Sequence, residues 1–386
     1  MNVLILTGKF GMGHLSAARS LQQHIDERLP GAQTQVVDLF EFLFPRRMAM
    51  AYSAYESFVF KCSRLFNVCY KTFSHGRGRG YNLVMTRMLD QFHGLLCAVR
   101  PDVIISDISL ASRFVSLYKD KRRGGAFAAV PLITCITDIN EHSSWYSVNT
   151  DYYLVPTLSV RCSLMCRGVD PRRIIVYGVP VKRQFSCICR REKPAGERKK
   201  ELLLMGGGYG SLPTSTSFYE ALNRLPDVHV TVVTGRNQKL YDKLHGRFEG
   251  MSVLGFTNQV VRLMADADLV VTKAGGISLF EAVAAEVPIL IFKPQLVQEE
   301  DNADYFARYE IGKVLPRQDS KCIEEIARVL SDPDKLAQMR QNMLRLKARL
   351  DPERLIGVLS DLQLTRKGED VCENMEGAET AAVSAV

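Results

Sequence analysis

A histidine beside a glycine-rich turn is the first place in this chain where chemistry can happen. The segment GKFGMGH runs from Gly8 to His14 straight after an apolar strand, with glycines at Gly8, Gly11 and Gly13. Glycine admits positive φ and lets another group approach the backbone closely. A helix that starts there presents amides carrying about half a unit of positive charge. His14 can be neutral near pH 7 and can then take a proton from an attacking hydroxyl. The spacing is GxxGxG, not the GxGxxG of dinucleotide folds, and no GK[ST] follows, so nicotinamide redox chemistry and P-loop hydrolysis are disfavoured.

Two more glycine turns follow the same plan. LLLMGGGYGS places Gly206, Gly207 and Gly208 after a second apolar strand, and VVTKAGGISLFEA places Gly275, Gly276 and Ile277 at a helix start. The amides of that helix can receive a pyrophosphate. Glu281 lies five positions past Gly276, where a carboxylate can accept hydrogen bonds from both hydroxyls of a ribose. Gln298, Glu299 and Asn302 in QLVQEEDNADY then come from the next strand end, and such side chains suit the hydroxyls of a sugar. One glycine turn is weak evidence, but three of them followed by this order of polar residues are specific. Asp266-x-Asp268 has a spacing used elsewhere to hold a metal with a nucleotide diphosphate. Here, in MADADLVV, it reads instead as a helix end entering a strand.

The elements that must carry these residues alternate short apolar runs with helical patterns, which predicts α/β architecture with parallel sheets. NVLIL, AQTQVVDL, DVIISD, PLITCITD, YYLVP and RIIVYG supply the strands of the first half. ELLLMGGG, HVTVVTG, MSVLGF, DLVVTKAGG and VPILIF supply those of the second. Helical stretches in the first half begin near His14, Ala49, Tyr81 and Leu158. The pattern predicts a domain over 1–180, a basic linker over 181–198 and a second domain over 199–345. A C-terminal helix over 346–365, continuing a helical pattern from about Asp334, is expected to cross back to the first domain. Residues 366–386, poor in large apolar groups, are expected to form a disordered tail.

With 386 residues, 46% apolar and 24% charged, the chain has the profile of a soluble globular protein with two cores. No apolar run approaches the roughly 20 residues of a membrane-spanning helix, and MNVLILTG lacks a secretory n-region, so a cytoplasmic location is expected. The ten cysteines include no CxxC and read as free thiols. The net charge of +8 is concentrated. Lys and Arg outnumber acids strongly from Arg46 to Arg87 and again from Lys182 to Lys200, and such surfaces favour phosphate-bearing partners. Within the first of these stretches, Tyr52, Tyr55, Val59, Cys62, Phe66, Cys69 and Phe73 recur at spacings of three and four, with Phe58 beside them. Arg46, Arg47, Lys61 and Arg64 flank the same stretch. An aromatic, cationic helix face of this kind can lie in an anionic lipid interface or pack on its own domain. No nucleic-acid-binding motif is present, so no nucleic-acid partner is expected.

At this point the sequence resembles the GT-B glycosyltransferases related to MurG, and among them the monogalactosyldiacylglycerol synthases and processive diacylglycerol glucosyltransferases. FGMGH (Phe10–His14), TDINEHSSW (Thr137–Trp145), YGVPVKRQF (Tyr177–Phe185), MGGGYG, TKAGGISLFEA and QEEDNADYF carry the resemblance, over roughly residues 3–330. SDISLAS follows the strand ending at Ile105, where the family often shows a His-Pro pair. The resemblance implies a GT-B fold, two Rossmann-like domains facing a cleft. It also implies inverting, metal-independent transfer of a hexose from UDP-glucose or UDP-galactose to diacylglycerol or glycosyl-diacylglycerol, with no cofactor. The enzyme would sit peripherally on the cytoplasmic face of the cell membrane, bound to anionic lipid. By the same resemblance, Gly206–Gly208 and Gly275–Ile277 would cradle the diphosphate, Phe256 would meet the uracil and Glu281 the ribose. Gln298 and Glu299 would face the donor sugar, with Asn302 beside them. His14 would be the base, with Asp138 the second candidate. Asp138, Gly13, His142 and Trp145 would shape the acceptor side. A polyprenyl-linked saccharide as acceptor, or a non-catalytic nucleotide-sugar or membrane-binding protein, are the alternatives.

Overall fold

A computed structural model of the chain describes residues 1–10, 12–45, 48, 52, 82–139, 142–188, 199–317 and 319–364. The apolar runs form two six-stranded sheets. The first holds β1 (Asn2–Thr7), β2 (Gln33–Asp38), β3 (Val103–Ser106), β4 (Leu132–Cys135), β5 (Tyr152–Val155) and β6 (Ile174–Val176) in the order β2-β1-β3-β4-β5-β6. The second holds β7 (Lys200–Met205), β8 (Val228–Val233), β9 (Met251–Leu254), β10 (Leu269–Thr272), β11 (Ile289–Ile291) and β12 (Gly312–Val314) in the order β12-β11-β10-β7-β8-β9. Neighbouring strands pair in parallel, and Val270, Val271 and Thr272 face Leu203, Leu204 and Met205 in register. Strands such as β3, β4 and β10 are buried at every position. Helices cover both faces of a parallel sheet, which is why the sequence shows continuous apolar runs there, not alternation.

The strand orders place the chemistry. In each sheet the chain reverses direction beside the first strand of the domain, between β1 and β3 and between β7 and β10. Loops leave such a switch point in opposite directions and open a crevice at the strand carboxyl ends. The turn before His14 follows β1, Gly206–Gly208 follow β7, and Gly275–Ile277 follow β10. All three glycine turns therefore stand at switch points.

Two elements extend the sequence-based expectation. β12, from the short run GKV, is a sixth strand of the second sheet. The helix Ser109–Lys121 follows β3 and buries Ala111, Phe114, Val115 and Tyr118. The expected long terminal helix is two helices. Pro333–Lys347 belongs to the second domain, and a separate helix of residues 353–364 lies on the first. Pro352 enforces the break, because it cannot donate within a continuing helix. Asp351 finishes it: its amide donates to the Val176 carbonyl at 2.8 Å, and its carboxylate accepts from the Arg354 amide at 3.2 Å. Leu355 and Leu359, both fully buried, then pack with Val3, Ile5, Leu21 and Ile25 of the first domain. Burial of that size contributes about 1.5–3 kcal/mol per leucine. A further core is shared between the domains, with Val155, Val176 and Phe185 meeting Phe280, Met343 and Leu346. Phe185 lies in the segment read as linker, so residues 181–188 are packed structure, including the short helix Arg183–Ser186.

Candidate active site

The three glycine turns meet across the cleft. Gly13 of the first helix (Met12–Arg28) faces Ile277, Met12 lies over Gly208, and the Thr137 carbonyl reaches the start of the helix Gly276–Ala284. A Cβ on Gly276 would stand 2.1 Å from that carbonyl oxygen, so only glycine permits the approach. Gly207 has φ +68°, and a Cβ there would stand 3.0 Å from the Lys273 side chain. The helix start at Gly276 has no side-chain cap. Its free amides, with Lys273 beside them, form an anion site of the kind a diphosphate occupies.

On the first-domain wall, His14 is half-buried and its Nδ1 is buried with no hydrogen-bond partner among the described residues. Desolvation lowers its pKa to about 4, against a smaller opposing pull from the Asp107 backbone. The ring is therefore neutral at physiological pH, with a nitrogen available to accept a proton. Asp107, at the end of β3, is fully buried, accepts from Thr7 Oγ1 at 3.1 Å, and leaves its other oxygen unpartnered among the described residues. Burial pushes this carboxyl well above the ordinary carboxylate range. Neither Asp107 nor Lys273 stands out in the sequence, although IISD and VVTK each end a strand at a switch point, where ligands collect.

Asp138 stands opposite, at the domain contact. Its Oδ1 accepts from Asn302 Nδ2 at 3.0 Å, and burial raises its pKa against the pull of that hydrogen bond. Glu281 is half-buried one and a half turns into the helix Gly276–Ala284. Desolvation raises its pKa to about 7, with Lys182 alone drawing it down. A desolvated carboxylate of this kind is stabilised by a ligand that brings hydroxyl donors, as a ribose would. Binding a UDP-hexose, whose phosphates have no second ionisation in this range, should therefore favour ionised Glu281. The sign follows. Affinity is full above pH 7, where Glu281 is already charged, and falls up to tenfold per pH unit below it. Calorimetric titration from about pH 5.5 to 8.5 checks this, and Glu281→Gln is expected to bind more weakly with the pH dependence gone.

Several expected contacts are modified. Glu299 is 8% exposed and accepts from Lys273 Nζ at 2.7 Å, so it presents an ion pair toward the donor site, not a bare carboxylate. Asn302 is fully buried, with both amide hydrogens engaged by protein, which removes it from the groups able to donate to a sugar. Gln298 lies in the first turn of the helix Val297–Arg308. Phe256 is 54% exposed after β9 with the Arg236 guanidinium 5.7 Å from its ring centroid. That is a cation–π pair on an exposed ring. Trp145 is a core side chain at 6% exposure, because its indole is drawn under the loop against Ile136 and Val160. His142 Nδ1 is 2.7 Å from Ser144 Oγ and caps the short turn Ser143–Trp145. Both shape the loop that holds them. Tyr52 does not face lipid: it is buried, its hydroxyl donates to Asp38 at 2.8 Å, and Phe10 meets its ring edge-on. Tyr55, Phe58, Phe66, Arg46, Arg47, Lys61 and Arg64 lie outside the described residues.

The Asp266-x-Asp268 pair is a structural joint. The helix Val260–Asp266 ends there, and Asp268 accepts from the Glu201 amide at 2.8 Å as β10 begins. A cavity of about 330 Å³ near these residues is lined by Glu201, His229 and Ser252 at the opposite ends of the strands. His229 already bonds both others, at 2.8 and 3.0 Å. No helix among the described residues is long and apolar enough to cross a membrane.

Comparison with known proteins divides along the same line as the fold. Residues 14–181 match the family described as monogalactosyldiacylglycerol (MGDG) synthase, and residues 202–370 match the glycosyltransferase family 28 C-terminal domain. The processive diacylglycerol beta-glucosyltransferase of Bacillus pumilus is 28% identical over 363 residues, covering 89% of this chain and 90% of its own. That of Bacillus licheniformis is 28% identical over 366 residues, covering 89% and 91%. Among solved structures, Acinetobacter baumannii MurG superposes with a TM-score of 0.59 at 13% identity, over 94% of this chain and 99% of its own. The UDP-GlcNAc 2-epimerase of Neisseria meningitidis superposes with a TM-score of 0.57 at 13% identity, over 94% and 100%. At such identities the structures speak for the fold alone.

Proposed function

We propose that the chain is a UDP-sugar-dependent member of the MurG-related GT-B glycosyltransferases and that it transfers a hexose to diacylglycerol with inversion, giving a β-glycosyl-diacylglycerol at the cytoplasmic membrane face. The observation that carries the proposal is the facing of two half-sites. A bare helix start with Lys273 stands across one cleft from His14 and Asp138. In such a site the diphosphate leaving group is stabilised by helix amides and an ammonium, a role that needs no divalent ion. A hydroxyl entering from the His14 wall loses its proton to a neutral imidazole or to Asp138 as the C1–O bond to UDP breaks on the far face of the sugar. Diacylglycerol is the favoured acceptor because the first-domain match and the relatives' names both point to it.

The reaction is tested by incubating the protein with diacylglycerol in anionic mixed micelles and UDP-glucose or UDP-galactose, separately, with and without chelator. Hexosyl-diacylglycerol by mass spectrometry is expected from one donor, undiminished by the chelator. A product that disappears with the chelator overturns the metal-free account. No product from either donor, with UDP-sugar binding intact, moves the acceptor assignment to another hydroxyl-bearing lipid.

A further inference from the structure

We propose that Asn302 is the latch of the closed cleft: its carboxamide ties the Thr137–Ile139 loop of the first domain to the third glycine turn of the second, and in doing so fixes the Asp138 carboxylate. The geometry is complete on both sides. Asn302 is fully buried on the helix Val297–Arg308. Its Oδ1 accepts from the Ile139 amide at 2.6 Å, and its Nδ2 donates to the Ala274 carbonyl at 2.9 Å and to Asp138 Oδ1 at 3.0 Å. The partners dictate the orientation of the amide. Turned over, it would set NH₂ against an N–H and its oxygen against two acceptors. One side chain thus reads whether the domains are closed, because Ile139 and Asp138 belong to one and Ala274 to the other. Ala274 shares the domain of Asn302, so closure must bring the two first-domain groups together for the amide to be satisfied, and a buried amide left half-satisfied is costly.

Asn302 is a positioning residue, and it acts through Asp138. The charged groups around Asp138 are Glu299 and Asp301 from the helix of Asn302 and Lys273 from the end of β10. The two carboxylates and burial favour protonated Asp138, whereas Lys273 and the Asn302 hydrogen bond favour the ionised form. The latch therefore draws Asp138 toward its charged form in the closed cleft, against the burial that raises its pKa. Opening the domains removes the bond, so the carboxylate is poised only when the cleft is shut. Sugar transfer under this arrangement is confined to the closed state.

Asn302→Asp separates this role from a merely structural one. The variant keeps the side-chain size and an acceptor for Ile139, but it replaces the donor to Asp138 by a second carboxyl. Two carboxyls at such a distance titrate as a coupled pair with one pKa raised. The expected result is an acid limb of kcat moved up by about one pH unit or more, so that the loss at about pH 6 exceeds the loss at about pH 9 by roughly tenfold or more. A loss by the same factor at every pH overturns the proposal. Asn302→Leu, which removes all three bonds, gives a readout independent of turnover. Small-angle scattering should show a radius of gyration larger by about 1 Å than the roughly 21 Å of a compact chain of this length. An unchanged radius in the Asn302→Leu variant, with an unchanged KM for the UDP-hexose, also overturns it. The latch rests on the sugar-transfer reading for its pH profile only. If wild-type protein transfers no hexose, that reading fails, and the scattering comparison alone decides the latch.

Discussion

Replacing Gly276 by alanine should lower kcat/KM by about a hundredfold or more while leaving each domain folded. A Cβ at this position would stand 2.1 Å from the Thr137 carbonyl oxygen and 3.3 Å from Asp138 Oδ1. The nearest of these is backbone, so no side-chain rotation relieves the clash, and the domains must part. A displacement of about 1 Å is enough to cost a hundredfold when catalysis depends on placement. The clash lies at a contact between domains, not inside a core, because the side chains that hold the second sheet, such as Leu203 and Val270, are untouched. Circular dichroism and the melting temperature should therefore change little. UDP-hexose affinity should fall less than turnover, since the helix start and Lys273 remain within one domain. A variant that retains full activity would show that the closed contact is not the working state. A variant that unfolds would place Gly276 among the folding residues instead.

Much of the frame was legible because parallel sheets announce themselves: a buried strand must be apolar throughout, and a switch-point turn must be small. The strands and the three glycine turns follow from such local rules. What escaped depended on partners distant in the chain. Tyr52 looks like one member of an aromatic face, and only the fold brings it to Asp38, whose carboxylate takes its hydroxyl. Lys273 and Glu299 read as separate polar residues, although the ends of β10 and β11 bring them to 2.7 Å. Asn302 has the character of a sugar ligand in sequence, and its role changed because an amide has one oxygen and two hydrogens, and the domains use all three. Trp145 sits in a motif of polar neighbours, yet its area made it core. β12 escaped because three residues beginning with glycine carry too little pattern to count as a strand.

His14→Ala should reduce kcat by roughly 10²- to 10⁴-fold, the usual worth of a positioned acid or base, with the KM for UDP-hexose within a few-fold. Two properties of His14 pull against each other. With a pKa near 4 it is always neutral at working pH, and its Nδ1 has no partner among the described residues, so it is free to accept. Yet an imidazolium so acidic is reached only uphill, by about 4 kcal/mol at pH 7 for three units. The donor resolves this. A phosphate charge held at about 6–8 Å, at an effective dielectric near 20, would favour the imidazolium by roughly 2–3 kcal/mol. On that account His14 would become an adequate base only once UDP-hexose is bound, and a stronger one as charge collects on the departing diphosphate. Two pH profiles should differ in consequence. The acid limb of kcat/KM, which reports the free enzyme, should carry the titration of Glu281 near pH 7 as well as that of His14 near pH 4, and at saturating UDP-hexose the His14 limb of kcat should be displaced upward. Asp138 makes the opposite demand, because its carboxyl is already raised in the free enzyme by burial, and a nearby diphosphate raises it further. If Asp138→Asn abolishes turnover while His14→Ala loses less than about tenfold, the proton goes to the carboxylate. His14 would then serve to hold the acceptor hydroxyl through the same bare Nδ1.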